Sequence, residues 1–370
     1  MKILRPKYLN QIASKQWNGK VKIITGIRRC GKSYLLSVLF KDYLLQEGVN
    51  KEDIIEVSLD KKDDAWLRNP IALQDYVLGK ASDSNRKYYV FIDEIQMSLK
   101  VLNPDIDAAL VADKDDPMLY ITFYDVLNEL RSHSNIDVYV TGSNSKMLSS
   151  DIVTNFRDRG SEIRIHPLSF REFHSTFEME KADALEEYLI YGGMPLAVTE
   201  QDEREKKKYL KDLHKKVYLS DIVERYHLKD DVVIEALLDE LYSSVGSLSN
   251  VHSLANAVSS NLRKNTSDHT IKLYVEYLID AFLFGKAKRY DVKGKKYFEY
   301  PEKYYSEDIG LRNAELNFRQ VERSHLMENI IYNDLVSNGY SVDVGVVPFT
   351  NVVNGKKSMS LYEIDFIVNR

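Results

Sequence analysis

The sequence predicts an α/β protein, in which an open parallel sheet covered by helices precedes a largely helical region. Three observations support this prediction: apolar runs alternate with amphipathic helical patterns in residues 1 to 172, a glycine-containing loop follows the first run, and two carboxylates follow a later one. Because parallel strands end at one edge of a sheet, polar residues at their carboxyl ends are expected to meet there. The predicted strands are 21–25, 54–58, 87–92, 136–141 and 162–166.

The first strand leads into a loop with the pattern of a phosphate-binding site. Residues 26 to 33 read Gly-Ile-Arg-Arg-Cys-Gly-Lys-Ser, and an amphipathic helical pattern follows them. The two glycines allow backbone N–H groups to turn toward a bound phosphate, which the helix N-terminus also favours. Lys32 is expected to reach the outer phosphates and Ser33 to ligate Mg²⁺. The predicted nucleotide-binding residues are Gly26, Ile27, Arg28, Arg29, Cys30, Gly31, Lys32, Ser33 and Tyr34.

A later strand ends in two adjacent carboxylates. The run Tyr-Tyr-Val-Phe-Ile-Asp-Glu, residues 88 to 94, is apolar until its last two positions, as in a buried central strand. Asp93 is expected to hold Mg²⁺ through water, and Glu94 to take a proton from the attacking water as general base. Asp-Glu alone would also suit the end of a strand before a helix, but the upstream loop favours the catalytic interpretation.

The strand at 136–141 is followed by the polar residues Gly-Ser-Asn-Ser at 142 to 145. This tip is expected to lie beside the loop and the carboxylates, at the same edge of the sheet. We expect Asn144 to orient the water or to contact the γ phosphate, with Ser143 as the alternative. A polar turn that caps the next helix is the structural interpretation of the same residues.

These three segments resemble those of AAA+-type P-loop ATPases, with GIRRCGKS as Walker A, YYVFIDE as Walker B and VYVTGSN as the sensor-1 strand. The chain is more closely similar to a bacterial and archaeal subgroup in which such a core precedes a poorly characterised C-terminal domain. The segments that carry this closer resemblance are FRDRGSEIRIHPLSFREF, YLIYGGMP, YLSDIVERY and KYYSEDIGLRNA. The resemblance implies an arginine finger, usually supplied to a neighbouring subunit, for which Arg159 is the first choice and Arg157 the second. A surface salt bridge is the alternative for each arginine.

The predicted ATPase core spans residues 1–172. The region that follows it is predicted to contain three modules. Residues 173–228 form a helical lid, whose basic run at 204 to 216 is interpreted as a solvated helix face. Residues 229–300 have the order of a winged helix-turn-helix, with helices at 232–245, 251–259 and 267–282 and a ribbon at 282–290 and 296–300. The basic ribbon favours contact with DNA phosphates, whereas Asp268, Glu276 and Asp280 on the third helix oppose it. DNA binding and packing against protein are therefore both open.

Residues 301–370 resemble a truncated nuclease-like α/β domain. Glu328 lies on a helix predicted at 321–337 and Asp365 on a strand predicted at 360–368, at positions that match the acidic core of such folds. A further carboxylate and a lysine on a following strand are needed to bind a metal and activate water. Because the sequence reaches Arg370 before such a strand, we expect an incomplete module without nuclease activity.

Composition narrows the class of protein. A formal net charge of −5 gives no whole-chain attraction to nucleic acid, and no apolar run is long enough to predict a membrane span. The single cysteine excludes an intrachain disulfide framework, and the first residues lack a secretory signal pattern, which favours the cytoplasm. Asn-Lys-Glu-Asp at 50 to 53 matches a guanine-reading motif but precedes an early strand, so ATP is the preferred nucleotide.

Together these features predict a Mg²⁺-dependent ATPase that uses its nucleotide state to move the helical and C-terminal modules. The chemistry is assigned to Lys32, Ser33, Asp93 and Glu94, with Asn144 and an arginine completing the site. Two alternatives belong to other classes of protein. One is a DNA-binding regulator in which ATP is a switch with little turnover, and the other is an interaction platform for a protein partner or a homo-oligomer.

Overall fold

The computed structural model describes residues 2–107, 109, 111, 113–114, 116–142, 159–228, 231–298, 301–319, 322–353 and 356–369. The chain forms two compact units, Lys2–Ile165 and His166–Arg370. The core boundary predicted at residue 172 therefore falls inside the second unit. Among the described residues, no helix is long and apolar enough to cross a lipid bilayer.

The first unit is built on a parallel sheet of five strands. The strands described in this unit are, in chain order, β1 Val21–Thr25, β2 Ile54–Ser58, β3 Tyr88–Asp93, β4 Val101–Leu102, β5 Tyr120–Ile121, β6 Ile136–Thr141 and β7 Gly160–Arg164. The order in the main sheet is β2-β3-β6-β1-β7, and β4 and β5 form a separate antiparallel ribbon. The five predicted strands are therefore present, with bounds that differ from the prediction by two residues at most.

The order of the strands places the predicted site residues side by side. β1, β3 and β6 are buried almost throughout, as expected for strands that are covered on both faces. β6 lies between β1 and β3, so the loop after β1 and the carboxylates after β3 flank the end of β6. The helices of this unit are Pro6–Ala13, Lys32–Tyr34 continued through the π-helical Leu35–Phe40 into Lys41–Gln46, Pro70–Lys80 and Phe123–Ser132.

The second unit is mainly helical. Its helices are Phe170–His174, Lys181–Tyr191, Pro195–Thr199, Glu203–Leu213 continued through the π-helical His214–Leu219 into Ser220–Tyr226, Asp231–Ser243, Val251–Leu262, Asp268–Asp280, Ile309–Glu315 and Arg323–Ser337. The three helices predicted between residues 232 and 282 are thus present. The strands are β8 Leu248–Ser249, β9 Phe284–Ala287, β10 Arg289–Asp291, β11 Lys296–Tyr297, β12 Glu302–Ser306, β13 Ser341–Val353 and β14 Lys356–Asn369.

The strands described in the second unit form two sheets. β12 pairs antiparallel with β8 and β9, whereas β10 pairs with β11 and, in parallel, with β13. The prediction that the ribbon strand at 282–290 pairs with 296–300 is wrong for β9, whose partner is β12. Lys288 separates β9 from β10 in the chain, and its carbonyl accepts a hydrogen bond from the Val344 backbone amide. The boundary predicted at residue 300 falls between β9 and β12, which pair with each other across it.

A buried carboxylate explains two of the segments that carry the family resemblance. Asp308 accepts hydrogen bonds from the backbone amides of Gly193, at 2.6 Å, and Leu311, at 3.1 Å. A side chain at Gly193 would collide with the Leu168 carbonyl, and one at Gly310 would collide with the Tyr191 carbonyl. The Gly-Gly-Met-Pro and Ser-Glu-Asp-Ile-Gly segments therefore pack against each other at backbone distance.

Candidate functional site

The loop after β1 has the backbone conformation that a phosphate-binding loop requires. Gly26 and Gly31 have φ angles of 136° and 101°, which residues with a side chain rarely adopt. A side chain at Gly26 would also collide with the carbonyl of Ile165 just after β7. The helix that begins at Lys32 follows directly, so its N-terminal amides face the loop.

Lys32 lies inside the loop instead of extending into solvent. Its side chain is buried, and Nζ donates hydrogen bonds to the carbonyls of Gly26, at 3.0 Å, and Ile27, at 3.1 Å. These neutral partners are weaker acceptors for an ammonium group than charged oxygens are. Lys32 is therefore positioned to exchange them for phosphate oxygens.

Asp93 forms the centre of the polar cluster at the carboxyl edge of the sheet. Ser33 Oγ donates to Asp93 Oδ1 at 2.8 Å, and the hydroxyl of Thr141, at the end of β6, donates to the same oxygen. The residues that the sequence predicts as metal ligands, Ser33 and Asp93, are thus in direct contact.

Burial raises the pKa of the Asp93 carboxyl, although the hydrogen bonds from Thr141 and Ser33 oppose the rise. The nearby charges of Glu94 and Asp60 raise the pKa further. A divalent cation at Asp93 would offset this cost, because it favours the ionised carboxylate. A hydroxyl and a carboxylate oxygen are also the ligand types that Mg²⁺ prefers, so these residues fit a Mg²⁺ ion.

Glu94 has an unusual backbone conformation directly after β3. Its φ of 54° is in the left-handed region, which is costly for a residue other than glycine and recurs at functional sites. Its backbone amide donates to Thr141 Oγ1 at 3.0 Å, and the Gln96 amide donates to its carboxylate. The Glu94 side chain is only half-buried, so a proton on its carboxylate has access to solvent.

The other predicted loop residues differ in exposure. Ile27 and Cys30 are buried, and the Cys30 thiol donates to the Ile165 carbonyl at 3.6 Å. Arg28 and Arg29 are exposed, and Tyr34 is half-buried. The buried pair fixes the loop from below, whereas the two arginines lie on its outer surface.

Two residues of the site were missed by sequence reasoning. Thr141 is fully buried and contacts both Asp93 and the Glu94 amide. Arg5 is 3% exposed and donates to the Cys30 carbonyl at 3.2 Å, which holds the loop from the N-terminal segment. A threonine at a strand end is an ordinary β-residue, and Arg5 is distant in sequence, so neither gave a signal.

The remaining predicted residues of the ATPase core are not all brought to this edge. Arg159 is exposed and lies beside the start of β1, since its carbonyl accepts from Val21 at 2.9 Å. The five residues of β1 therefore separate Arg159 from the loop of its own chain by roughly 16 Å. Ser143, Asn144 and Arg157 lie outside the described residues.

Glu328 and Asp365, the acidic residues predicted for a nuclease-like core, lie in different environments. The Lys303 ammonium group lies 2.9 Å from Glu328 and 2.7 Å from Glu363, and Tyr305 donates to Glu328 at 2.8 Å. Asp365 is exposed on β14. A buried lysine therefore neutralises two carboxylates at this position. Among the described residues, no group of three or more His, Cys, Asp or Glu side chains is arranged to hold a metal ion.

Comparisons with known proteins agree with this geometry. A sequence-family model of an AAA domain matches residues 18–174, and a model of a domain of unknown function matches residues 182–322. An uncharacterised protein of Haemophilus influenzae is 33% identical over 373 residues, which cover 100% of this chain and 84% of that protein. An uncharacterised protein of Methanocaldococcus jannaschii is 28% identical over 365 residues, covering 94% of this chain and 72% of that protein.

A solved structure is similar in fold. The Walker-type ATPase of Pyrococcus abyssi superposes with a TM-score of 0.51 at 12% identity, covering 85% of this chain and 96% of that one. The predicted α/β P-loop fold is confirmed, and the AAA domain supports the binding of ATP. The chain belongs to a family of AAA+ P-loop ATPases in which an AAA domain is followed by a C-terminal domain of unknown function.

Proposed function

We propose that the protein hydrolyses ATP with Mg²⁺ at the loop after β1 and uses the nucleotide state to move its helical and C-terminal modules. The observation that carries the proposal is the contact of Ser33 and Thr141 with one oxygen of Asp93, beside a buried Lys32. A nucleotide with its phosphates on the loop amides would place the outer phosphate next to these side chains.

Each residue has a definite role in this proposal. Lys32 leaves the Gly26 and Ile27 carbonyls and neutralises phosphate oxygens, and Ser33 and Asp93 would hold a bound Mg²⁺. When bound, Mg²⁺ would supply positive charge that stabilises the transferring phosphoryl group. Glu94 accepts the proton of the attacking water, and its half-buried carboxylate can release that proton to solvent.

The remaining two roles stay with the residues that the sequence predicts. Asn144 is proposed to orient the water, with Ser143 as the alternative. Arg159 is proposed to act on a neighbouring subunit, because it lies at the far end of β1 from its own loop. If it does so, mixing inactive Lys32→Ala and Arg159→Ala chains restores part of the turnover. Arg157 takes this role if Arg159→Ala alone leaves turnover unchanged.

We further propose that this chain does not cleave DNA. The support is Lys303, whose ammonium group already neutralises Glu328 and Glu363 where a nuclease would bind a cation. The purified protein is expected to leave plasmid DNA intact with Mg²⁺ or Mn²⁺. Cleavage that disappears in a Glu328→Gln variant would refute the proposal.

Steady-state ATP hydrolysis with Mg²⁺ tests the main proposal. Lys32→Ala is expected to abolish turnover, and Glu94→Gln to slow it while ATP still binds, because only the proton acceptor is lost. Lys20→Ala is the matched control, since Lys20 is an exposed lysine just before β1. ATP binding without turnover in the unaltered protein would favour a nucleotide switch instead of an enzyme.

A further inference from the structure

The antiparallel hairpin formed by β10 and β11 presents its turn to solvent, because the residues from Val292 to Tyr297 are all exposed. β11 is an edge strand of the four-stranded sheet, whose order is β11-β10-β13-β14. β11 thus has one free edge, whereas β10 is paired on both sides, with β11 and with β13.

Residues 286–297, which comprise this hairpin and the residues that lead into it, are strongly basic. Their only carboxylate is Asp291, which is buried and accepts hydrogen bonds from the turn amides of Lys293, at 3.1 Å, and Gly294, at 2.8 Å. The carboxylate is therefore used to shape the turn and is turned away from the surface. The basic residues are Lys286, Lys288, Arg289, Lys293, Lys295 and Lys296.

Most of this positive charge is not neutralised by any residue that the structure describes. Lys288, Lys295 and Lys296 are exposed, and none of them forms an ion pair with a residue that the structure describes. Lys286 lies 3.7 Å from Glu302, and Lys293 donates to the Pro348 carbonyl at 3.1 Å. Three lysines around the hairpin are therefore available to an external anion.

An aromatic side chain lies among these lysines. Tyr297 is 59% exposed, and its ring centroid is 5.1 Å from that of Tyr290 on the paired strand. Its hydroxyl donates to Asp343 at 2.9 Å, which holds the ring in place. Basic residues combined with a fixed aromatic ring suit a nucleic-acid backbone and its sugars.

The third helix of the predicted winged helix-turn-helix, which precedes the hairpin in the chain, has a net charge of the opposite sign. Helix Asp268–Asp280 carries three carboxylates, Asp268, Glu276 and Asp280, against Lys272 as its single lysine. Phosphates would be repelled by this helix and attracted by the hairpin.

We infer that the hairpin formed by β10 and β11 binds duplex DNA through backbone phosphates, and that the third helix does not read the bases. Lys288, Lys295 and Lys296 neutralise phosphates, and Tyr297 contacts the backbone beside them. Binding is salt-dependent and has little sequence preference, because no base-reading element takes part.

Two alternatives account for the same lysines. Lysines on an edge strand prevent pairing with another sheet, and in that case they need no ligand. A basic surface also attracts anionic membranes, although Val292 is the one exposed aliphatic side chain among residues 286 to 297 and gives little apolar area for insertion. The experiment must therefore distinguish DNA binding from an edge strand that binds no ligand and from membrane binding.

The test measures binding of the full chain to a fluorescent duplex of mixed sequence by anisotropy at several salt concentrations. A Lys288→Gln, Lys295→Gln, Lys296→Gln variant is expected to bind at least about tenfold more weakly near 0.1 M salt. Its salt slope is expected to fall by about 2.7, because each phosphate that is no longer neutralised lowers the slope by ~0.9. Thermal unfolding checks that the variant is folded.

The matched control removes the same charge from another exposed surface of this unit. Lys208→Gln, Lys215→Gln, Lys216→Gln alters the basic helix face, where Lys208 and Lys216 are already paired with Glu205 and Asp212. Its affinity and salt slope are expected to equal those of the unaltered protein. Equal losses in both variants, no DNA binding at all, or binding to phosphatidylserine vesicles but not to DNA would each overturn the inference.

Discussion

Replacing Thr141 with valine tests whether the end of β6 positions both carboxylates of the nucleotide site. The substitution keeps the shape of the side chain and removes one hydroxyl. That hydroxyl donates to Asp93 and accepts from the Glu94 amide at 3.0 Å. Thr141→Val therefore removes a donor from the proposed metal ligand and leaves a backbone amide without its partner.

The two losses have separate magnitudes. A hydrogen bond to an ionised group contributes about 1.5–3 kcal/mol, and an unpaired buried N–H costs about 1–3 kcal/mol. Because the Thr141 hydrogen bond lowers the pKa of Asp93, its loss raises that pKa further. The acid limb of the ATPase pH profile should therefore move toward higher pH.

The assay combines ATP turnover, measured against pH and Mg²⁺ concentration, with chemical unfolding. Thr141→Ser keeps the hydroxyl and should keep the pH profile. Thr25→Val is the matched control at the end of neighbouring β1, because Thr25 is also fully buried but donates to Glu162, at 2.8 Å. It should lower stability to a similar degree without moving the acid limb.

An unchanged pH profile in Thr141→Val would refute the reasoning, provided that Thr141→Ser behaves like the unaltered protein. Loss of stability in the valine variant with unaltered Mg²⁺ dependence would mean that Thr141 only supports the fold. Equal effects of Thr25→Val and Thr141→Val on the pH profile would show that any buried hydroxyl at this edge has the same influence.

Three further predictions concern the second unit. Gly193→Ala should lower the free energy of unfolding by more than about 2 kcal/mol, because the new methyl group collides with the Leu168 carbonyl; Gly79→Ala, in open space, should not. Burial raises the pKa of Asp308 to about 6, so the folded state binds this proton more tightly than the unfolded state and stability falls as pH rises from about 4 to 6. Urea unfolding should show the stability of the unaltered protein, measured relative to that of Asp308→Asn, falling by about 3 kcal/mol as pH rises over that range. Lys303→Met should cost about 3 kcal/mol by leaving Glu328 and Glu363 unneutralised, and Glu328→Gln in the same chain should recover part of it; unchanged stability in the single variant would contradict this account.

The central sheet could be predicted closely because its strands are nearly continuous apolar runs that end in turn or polar residues. A buried strand with few polar positions has a clear signal, and β1, β2 and β6 have the predicted bounds. The same runs placed Lys32, Ser33 and Asp93 at one edge, because parallel strands share their direction. Lys22 shows the limit, since this lysine inside β1 is buried and paired with Asp137 on β6.

The sheet around β12 could not be predicted because its signal is tertiary. Glu-Lys-Tyr-Tyr-Ser has a polar sequence, yet all five residues of β12 are buried. Its polar groups have partners that are distant or on another strand: Lys303 contacts Glu328, the Ser306 backbone amide donates to the Asn329 side chain, and Glu302 lies near Lys286. A local pattern cannot predict burial that depends on partners 16 to 25 residues away.

Asp93 at the nucleotide site differs from the pair Glu328 and Glu363 in whether a lysine already neutralises it, and this difference determines where a cation can bind. At the nucleotide site, Asp93 accepts hydrogen bonds from two neutral hydroxyls, while Lys32 donates to loop carbonyls instead. Among the described residues, no lysine or arginine pairs with Asp93, and burial makes a charge on its carboxylate costly unless a cation approaches. In the second unit, Lys303 already supplies a positive charge to both Glu328 and Glu363. A divalent ion there would have to displace the buried Lys303 ammonium group and offset the cost of its own desolvation. We therefore expect Mg²⁺ to act at Asp93 and not at the C-terminal carboxylates.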